Sequence, residues 1–139
     1  MVNRVLVVDD EESVCWAFKE VLQSEGYKVE TAASAEDGLD KAAAFHPNLV
    51  ILDVRLPGMD GISAIQSFKK RHPETSIVVI TAHGTTQTAI EAIRQGAVDY
   101  LLKPVEDIET VLRVVRKGLA ETICDPEVQK MRTELGRRG

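Results

Sequence analysis

Polar side chains stand at the ends of four short aliphatic runs in this sequence. They are two adjacent carboxylates, a third carboxylate, a hydroxyl and an ammonium, namely Asp9 and Asp10, Asp53, Thr81 and Lys103. If the runs are parallel strands of one sheet, all of these groups lie at its carboxyl edge, where open α/β sheets bind their ligands. Three carboxylates cannot all remain ionised in one cleft unless a cation lies among them. Ligation by oxygen alone favours Mg²⁺, with Mn²⁺ as the alternative.

An aspartate beside Mg²⁺, a lysine and a hydroxyl is equipped for phosphoryl transfer. The carboxylate can form an aspartyl phosphate, while the metal, Lys103 and Thr81 stabilise charge on the phosphoryl oxygens. Taken singly, each residue has a simpler explanation, since Asp9 or Asp10 can cap a helix and Lys103 can be solvated. Their convergence at four strand ends favours the phosphoryl-transfer site.

Five aliphatic runs alternate with helical patterns, which predicts repeated βαβ units and a parallel sheet. The second run alternates polar with apolar residues, so we expect it at an edge of the sheet. The fold class is therefore α/β, a flavodoxin-like (βα)5 doubly wound sheet with strand order 2-1-3-4-5. The strands are expected near residues 4–8, 27–31, 48–52, 76–81 and 98–102.

The helices that connect these strands have recognisable ends and apolar faces. The first, about residues 12–25, should end at Gly26 in the left-handed conformation, and Ser34 should cap the second. The third is expected over about residues 61–71 and the fourth over about 85–95. The apolar anchors of the fourth helix are predicted to be Ala89, Ile90 and Ile93. The fifth helix starts near Asp107, and its apolar stripe is predicted to contain Ile108, Val111, Leu112, Val115 and Leu119.

Composition restricts the remaining function classes. A chain of 139 residues with 44% hydrophobic residues supports one compact domain, and its apolar runs are too short to cross a bilayer. A net charge of −5 without a basic stripe argues against direct contact with nucleic acid. Cys15 and Cys124 lack disulfide or zinc-ligand spacing. We expect a cytoplasmic protein with no membrane contact.

Four segments around the strand ends resemble the motifs of the response-regulator receiver domain of two-component signalling. The similarity keeps order and spacing over about residues 3–120, and the segments are Leu6–Glu12, Leu52–Gly61, Ile80–Ala82 and Lys103–Pro104. It implies a receiver domain at residues 1–121. Residues 122–139 would then be a connector or tail, partly helical or frayed.

The resemblance also implies a role for each residue of the site. Asp53 is the phosphoacceptor for a sensor histidine kinase, and Asp10 binds Mg²⁺ directly while Asp9 assists through water. The Arg55 backbone carbonyl completes the protein ligands. Thr81 holds a phosphoryl oxygen, and Lys103 pairs with the phosphoryl group. The peptide bond between Lys103 and Pro104 is implied to be cis.

Further implied roles concern switching and the lifetime of the phosphoryl group. Phosphorylation draws Thr81 inward, Tyr100 turns into the vacated space, and the surface of helix 4, strand 5 and helix 5 changes. Ala82 keeps the phosphoryl pocket open. Together with Arg55 and His83, it occupies positions that tune how long the phosphoryl group survives. The protein would catalyse its own phosphotransfer and dephosphorylation without acting as a turnover enzyme.

Weaker features resemble receivers of the NtrC class, which precede an AAA+ ATPase acting on sigma-54 polymerase and a DNA-binding domain. Among them is Trp16 on the first helix, which is expected to be partly exposed. The chain contains no GxxxxGK[ST] motif, so it is expected to be a truncated receiver or a stand-alone receiver acting through protein contacts. Phosphorylation is expected to drive homodimerisation through helices 4 and 5.

Two other functions use similar residues. A Mg²⁺-dependent aspartyl-phosphate hydrolase would carry a DxDxT signature, but Arg55 stands where its general acid would be. A receiver-like domain that binds partners without phosphorylation is disfavoured because the acidic, threonine and lysine positions are all filled.

Overall fold

The inner strands consist almost entirely of aliphatic residues because helices cover both faces of the sheet. The computed structural model describes residues 3–56, 59–81, 86–103 and 107–122, and at 55–56, 59–62, 86–89 and 121–122 only the backbone. The parallel strands are β1 (Arg4–Val8), β2 (Lys28–Ala32), β3 (Leu49–Asp53), β4 (Ser76–Thr81) and β5 (Asp99–Leu102). Their order is β2-β1-β3-β4-β5, which confirms the predicted flavodoxin-like topology.

Helices follow the strands in regular alternation, and they divide into two layers. They are α1 (Glu12–Ser24), α2 (Ala35–Phe45), α3 (Gly61–Arg71), α4 (Thr86–Arg94) and α5 (Ile108–Thr122). Successive strand residues face opposite sides of the sheet. Val5, Val7 and Ile51 therefore pack with α1 and α5, whereas Leu6 and Val8 pack with α2, α3 and α4.

Local sequence signals fix several helix ends as predicted. Gly26 follows α1 with a φ of 92°, in the left-handed region that glycine reaches without a Cβ clash. The Ser34 hydroxyl accepts a hydrogen bond from the Asp37 N–H at 3.1 Å and so caps α2. His46 ends α2 with a φ of 51°. These ends orient α1 and α2, which pack against β1 and β2.

Two of the three predicted anchors of α4, Ile90 and Ile93, were wrong. Ile90 and Ile93 are 46% and 43% exposed, whereas Ala92 is fully buried. Four of the five residues from 89 to 93 are apolar, so the sequence permits more than one buried stripe. The small Ala92 faces the sheet, and the larger isoleucines remain at the surface. The side chain of Ala89 lies outside the described residues.

The apolar stripe of α5 is confirmed except at its first residue. Ile108 is exposed, whereas Val111, Leu112, Val115 and Leu119 are buried. Val114 is also buried, a position that the predicted stripe omitted. Ile108 opens the helix and borders a small cavity beside α1, so it does not lie under the sheet.

Trp16 is 66% exposed, as expected, and Cys15 is a buried free thiol. None of the helices in the described part of the chain is long and apolar enough to span a membrane. The predicted connector or tail at 122–139 begins at the last residue of α5, and Cys124 with the rest of that segment lies outside the described residues.

Candidate functional site

The register of the sheet brings the polar strand ends to one edge. Val8 pairs with Leu52 across β1 and β3, so the residues that follow them, Asp9 and Asp53, emerge side by side. Thr81 pairs with Leu102 across β4 and β5, and the Lys103 N–H donates to the Thr81 carbonyl at 2.9 Å. The strand ends predicted from the sequence therefore do converge.

Asp9, Asp10 and Asp53 form the acidic part of the site. One carboxylate oxygen from each lies within 4.8 Å of the other two. Asp9 and Asp53 are buried, whereas Asp10 is exposed. The cluster therefore has two enclosed carboxylates and one that faces solvent, an arrangement that leaves open positions for water or a substrate oxygen.

The Lys103 ammonium lies among three carboxylates at this edge of the sheet. Its Nζ is 2.8 Å from Asp9 Oδ2, 3.1 Å from Asp53 Oδ2 and 3.0 Å from Glu11 Oε1. Burial by itself would lower the pKa of Lys103, but its interactions with these three acids raise it well above its ordinary value. The three acids therefore favour the charged form of Lys103.

Glu11 is a site residue that the sequence reasoning missed. It belongs to the matched motif, but the motif implies no role for its carboxylate, which reaches Lys103 from a position 92 residues away in the chain. The one available signal was its place two residues after Asp9, at the same strand end. Its side chain is 57% exposed, unlike those of Asp9 and Asp53.

Asp9 has the most restricted environment of the acids. Its Oδ1 accepts a hydrogen bond from the Glu11 N–H at 2.9 Å, and its backbone carbonyl accepts one from the Cys15 thiol at 3.3 Å. Burial raises the pKa of Asp9, with a further increase from the negative charge of Asp53, while Lys103 and the Glu11 N–H oppose the rise.

A divalent cation fits this donor set. Asp9 Oδ2 is enclosed and forms a close ion pair with Lys103, yet among the described residues it makes no hydrogen bond of regular geometry. It therefore retains capacity to accept a cation or a metal-bound water. With Asp10 and Asp53 it provides the all-oxygen, anionic environment that Mg²⁺ and Mn²⁺ prefer.

The structure describes some of the other predicted site residues and not others. Thr81 is buried at the end of β4, and Tyr100 is exposed on β5. The backbone of Arg55 belongs to a two-residue strand just after Asp53, and its carbonyl as a metal ligand stays a prediction. Ala82, His83 and the Lys103–Pro104 bond lie outside the described residues.

A doubly wound parallel sheet with three aspartates and a lysine at its carboxyl edge defines a receiver-type domain. The family model of the response regulator receiver domain matches residues 5–116, and the chain belongs to this family.

Similar proteins place the chain near NtrC-type regulators. It is 40% identical over 134 residues to the nitrogen assimilation regulatory protein NtrX of Azorhizobium caulinodans, covering 95% of this chain and 29% of that protein. It is 37% identical over 116 residues to the DNA-binding transcriptional regulator NtrC of Escherichia coli, covering 84% and 24%. The chain thus spans about a quarter of these relatives.

A solved structure agrees with this placement. The receiver domain of NtrX from Brucella abortus superimposes with a TM-score of 0.79 at 36% identity, covering 84% of this chain and 98% of that one. The likeness extends over nearly the whole of that receiver domain, so the fold and the family assignment support each other.

Proposed function

We propose that the chain is a phosphorylation-controlled signalling switch that accepts a phosphoryl group on Asp53 from a sensor histidine kinase. The observation that carries the proposal is the contact of 3.1 Å between Lys103 Nζ and Asp53 Oδ2, inside a cluster of three aspartates. A carboxylate with an adjacent fixed cation and a divalent metal is suited to attack a phosphorus atom.

In the transfer, a carboxylate oxygen of Asp53 forms the P–O bond while the P–N bond of the phosphohistidine breaks. The electron pair of that bond returns to the imidazole of the kinase. Asp9, Asp10, Asp53 and the Arg55 carbonyl would hold Mg²⁺, which supplies charge neutralisation when bound. Lys103 and Thr81 bind phosphoryl oxygens and orient the group. Burial of Asp53 limits the access of water.

Loss of the signal follows from attack of a water on the same phosphorus, which breaks the P–O bond and restores the Asp53 carboxylate. We assign the rate of this step to Arg55, Ala82 and His83, which lie one or two positions after Asp53 and Thr81 in the sequence. The chain thereby promotes one phosphorylation and one slow hydrolysis per signal, and it is not a turnover enzyme for free substrates.

Transmission to the surface is assigned to Thr81 and Tyr100. They lie on neighbouring strands: Thr81 ends β4 opposite Leu102, and Tyr100 lies two residues before Leu102 on β5, opposite Val79. A phosphoryl oxygen bound by Thr81 would draw its side chain toward Asp53 and leave space for the Tyr100 ring. Ligand contacts that differ between two states shift the population between them.

The output is assigned by similarity to the NtrC-type relatives. In that case the complete protein carries an AAA+ ATPase and a DNA-binding domain and activates sigma-54-dependent transcription. The alternative is a stand-alone receiver that acts through protein contacts. The similarity to NtrX and NtrC supports the first assignment.

Phosphorylation is expected to make the isolated chain dimerise through helices 4 and 5. The described part of this region exposes apolar side chains that water disfavours, namely Ile90, Ile93, Tyr100 and Leu102. Sedimentation velocity with and without beryllofluoride, an analogue of the phosphoryl group, measures the change. Equal sedimentation under both conditions contradicts the dimer.

Incubation with Mg²⁺ and acetyl phosphate tests the central proposal. Intact-mass measurement is expected to find one added phosphoryl group per chain, labile to hydroxylamine as an acyl phosphate is. Removal of Mg²⁺ with a chelator should prevent the addition. A chain that gains no phosphoryl group under these conditions overturns the proposal, whereas rapid multiple turnover of a generic phosphomonoester would indicate a hydrolase.

A further inference from the structure

Three carboxylates already engage Lys103 in the unphosphorylated site, with hydrogen bonds to Glu11 and Asp53 and a close ion pair with Asp9. An ammonium has three N–H groups, and three carboxylates lie between 2.8 and 3.1 Å from Nζ. A phosphoryl group added to Asp53 extends outward from the carboxylate, so Lys103 must reorient to bind its oxygens. At least one of the present contacts must therefore weaken when phosphoryl arrives.

Glu11 is the contact that can be released at the lowest cost. Asp9 is enclosed and Asp53 is the acceptor itself, whereas the Glu11 side chain is more than half exposed. When Lys103 leaves, the Glu11 carboxylate can be solvated by water, but a buried carboxylate without its cation is destabilised. The three contacts of Lys103 are therefore energetically unequal.

The position of Glu11 on α1 supports a specific role. It is the N-cap residue of α1, where Asp, Asn, Ser and Thr are preferred because their short side chains bond the free N–H groups of the first turn. The Glu11 side chain makes no capping hydrogen bond and instead extends across the cleft to Lys103. Its length suits this contact better than it suits a cap.

We infer that Glu11 is a positioning residue that holds Lys103 in the unphosphorylated state and competes with the phosphoryl group for it. The inference rests on the proposed function of Asp53. While Glu11 is bound, Lys103 is less available to an incoming anion, and the Glu11 charge adds repulsion. The same charge favours binding of a cation in the cleft. Removing it should therefore change the affinities for anion and metal in opposite directions.

The experiment compares wild type with three variants, E11Q, E11D and E12Q. Glu12 is the matched control, since it is the next residue, is exposed, and forms no ion pair among the described residues. E11D keeps the charge but has a shorter side chain that favours capping α1 over reaching Lys103. Mg²⁺ affinity is read from Trp16, which borders the same groove as Asp9 and Asp10, or by calorimetry.

Beryllofluoride affinity is then measured at saturating Mg²⁺, with D53N as the blank. E11Q is expected to bind beryllofluoride about threefold more tightly and Mg²⁺ about threefold more weakly, the scale of one partly exposed ion pair. E11D should also bind beryllofluoride more tightly than wild type because the contact with Lys103 is lost, but less tightly than E11Q because the negative charge remains. E12Q should leave both affinities within about 1.5-fold of wild type.

Two results overturn the role of Glu11 while the proposed function stands. One is an E11Q affinity for beryllofluoride equal to that of E12Q, which would indicate an effect of net charge alone. The other is an E11D affinity equal to that of wild type, which would indicate that the contact with Lys103 is irrelevant. If wild type itself binds no more beryllofluoride than D53N, the proposed function fails, and the role of Glu11 fails with it.

Discussion

Replacement of Asp53 by asparagine is expected to abolish phosphorylation by acetyl phosphate, lowering the rate by at least about 10³-fold, because an amide cannot form the acyl phosphate. The side chains have nearly the same shape, so the buried end of β3 should pack as before. The measurement is intact mass after incubation with Mg²⁺, with hydroxylamine treatment to identify the acyl phosphate. Beryllofluoride should likewise produce no change in Trp16 fluorescence or sedimentation.

The same variant should not lose stability in the absence of metal. Asp53 is one of the charges that raise the pKa of Asp9, so its neutralisation relieves repulsion between two enclosed carboxylates. Lys103 keeps its contacts with Asp9 and Glu11. We expect an unfolding temperature equal to or above that of wild type, measured with a chelator present, and a weaker affinity for Mg²⁺.

Asp40 provides the matched control for this variant. It is an exposed aspartate on α2, away from the carboxyl-edge cluster, and D40N changes the net charge by the same amount. It should be phosphorylated like wild type. Stoichiometric phosphorylation of D53N would show that another acid is the phosphoacceptor, and it would contradict the role assigned to Asp53.

Lys103→Met is expected to destabilise the metal-free protein by about 3 kcal/mol at neutral pH, as measured by chemical denaturation. Methionine has a similar length but no charge, so the enclosed Asp9 and Asp53 carboxylates lose the cation that lies 2.8 and 3.1 Å from them. Lys103 is itself only 10% exposed, so water compensates little. Saturating Mg²⁺ should recover most of the loss because it replaces the missing positive charge.

The pH dependence of this loss has a definite sign. Burial raises the pKa of Asp9 in the folded protein above its value in the unfolded chain. The protonated form of Asp9 therefore favours folding, and that contribution disappears as the pH rises through the folded pKa. Without Lys103 this pKa rises further. The variant should approach wild type in acid and fall below it as the pH increases past the ordinary aspartate range.

Lys117 is the control for the loss of a lysine ion pair. Its Nζ lies 3.4 Å from Asp99 Oδ2, but its side chain is largely exposed, so K117M should cost less than about 1 kcal/mol. Mg²⁺ should not restore that small loss. Equal destabilisation by K103M and K117M would contradict the view that Lys103 neutralises enclosed carboxylates.

Most of the architecture could be predicted because it depends on local patterns. Aliphatic strands, the alternation in β2, the Ser34 cap and the turn at Gly26 each involve a few neighbouring residues. The errors arose where several apolar residues competed for one buried stripe. In α4 the sequence permitted either isoleucine or alanine to face the sheet, and only packing against β4 and α3 selected Ala92.

The sequence by itself determined the strand order and the identities of the polar residues at the strand ends, including Asp9, Asp53 and Lys103. Tertiary structure alone decided which carboxylates share the Lys103 ammonium, and it added Glu11 to the site. The physical reason is that this contact joins residues 92 positions apart. It depends on the distance between strand ends and on the start of α1, which no local pattern specifies.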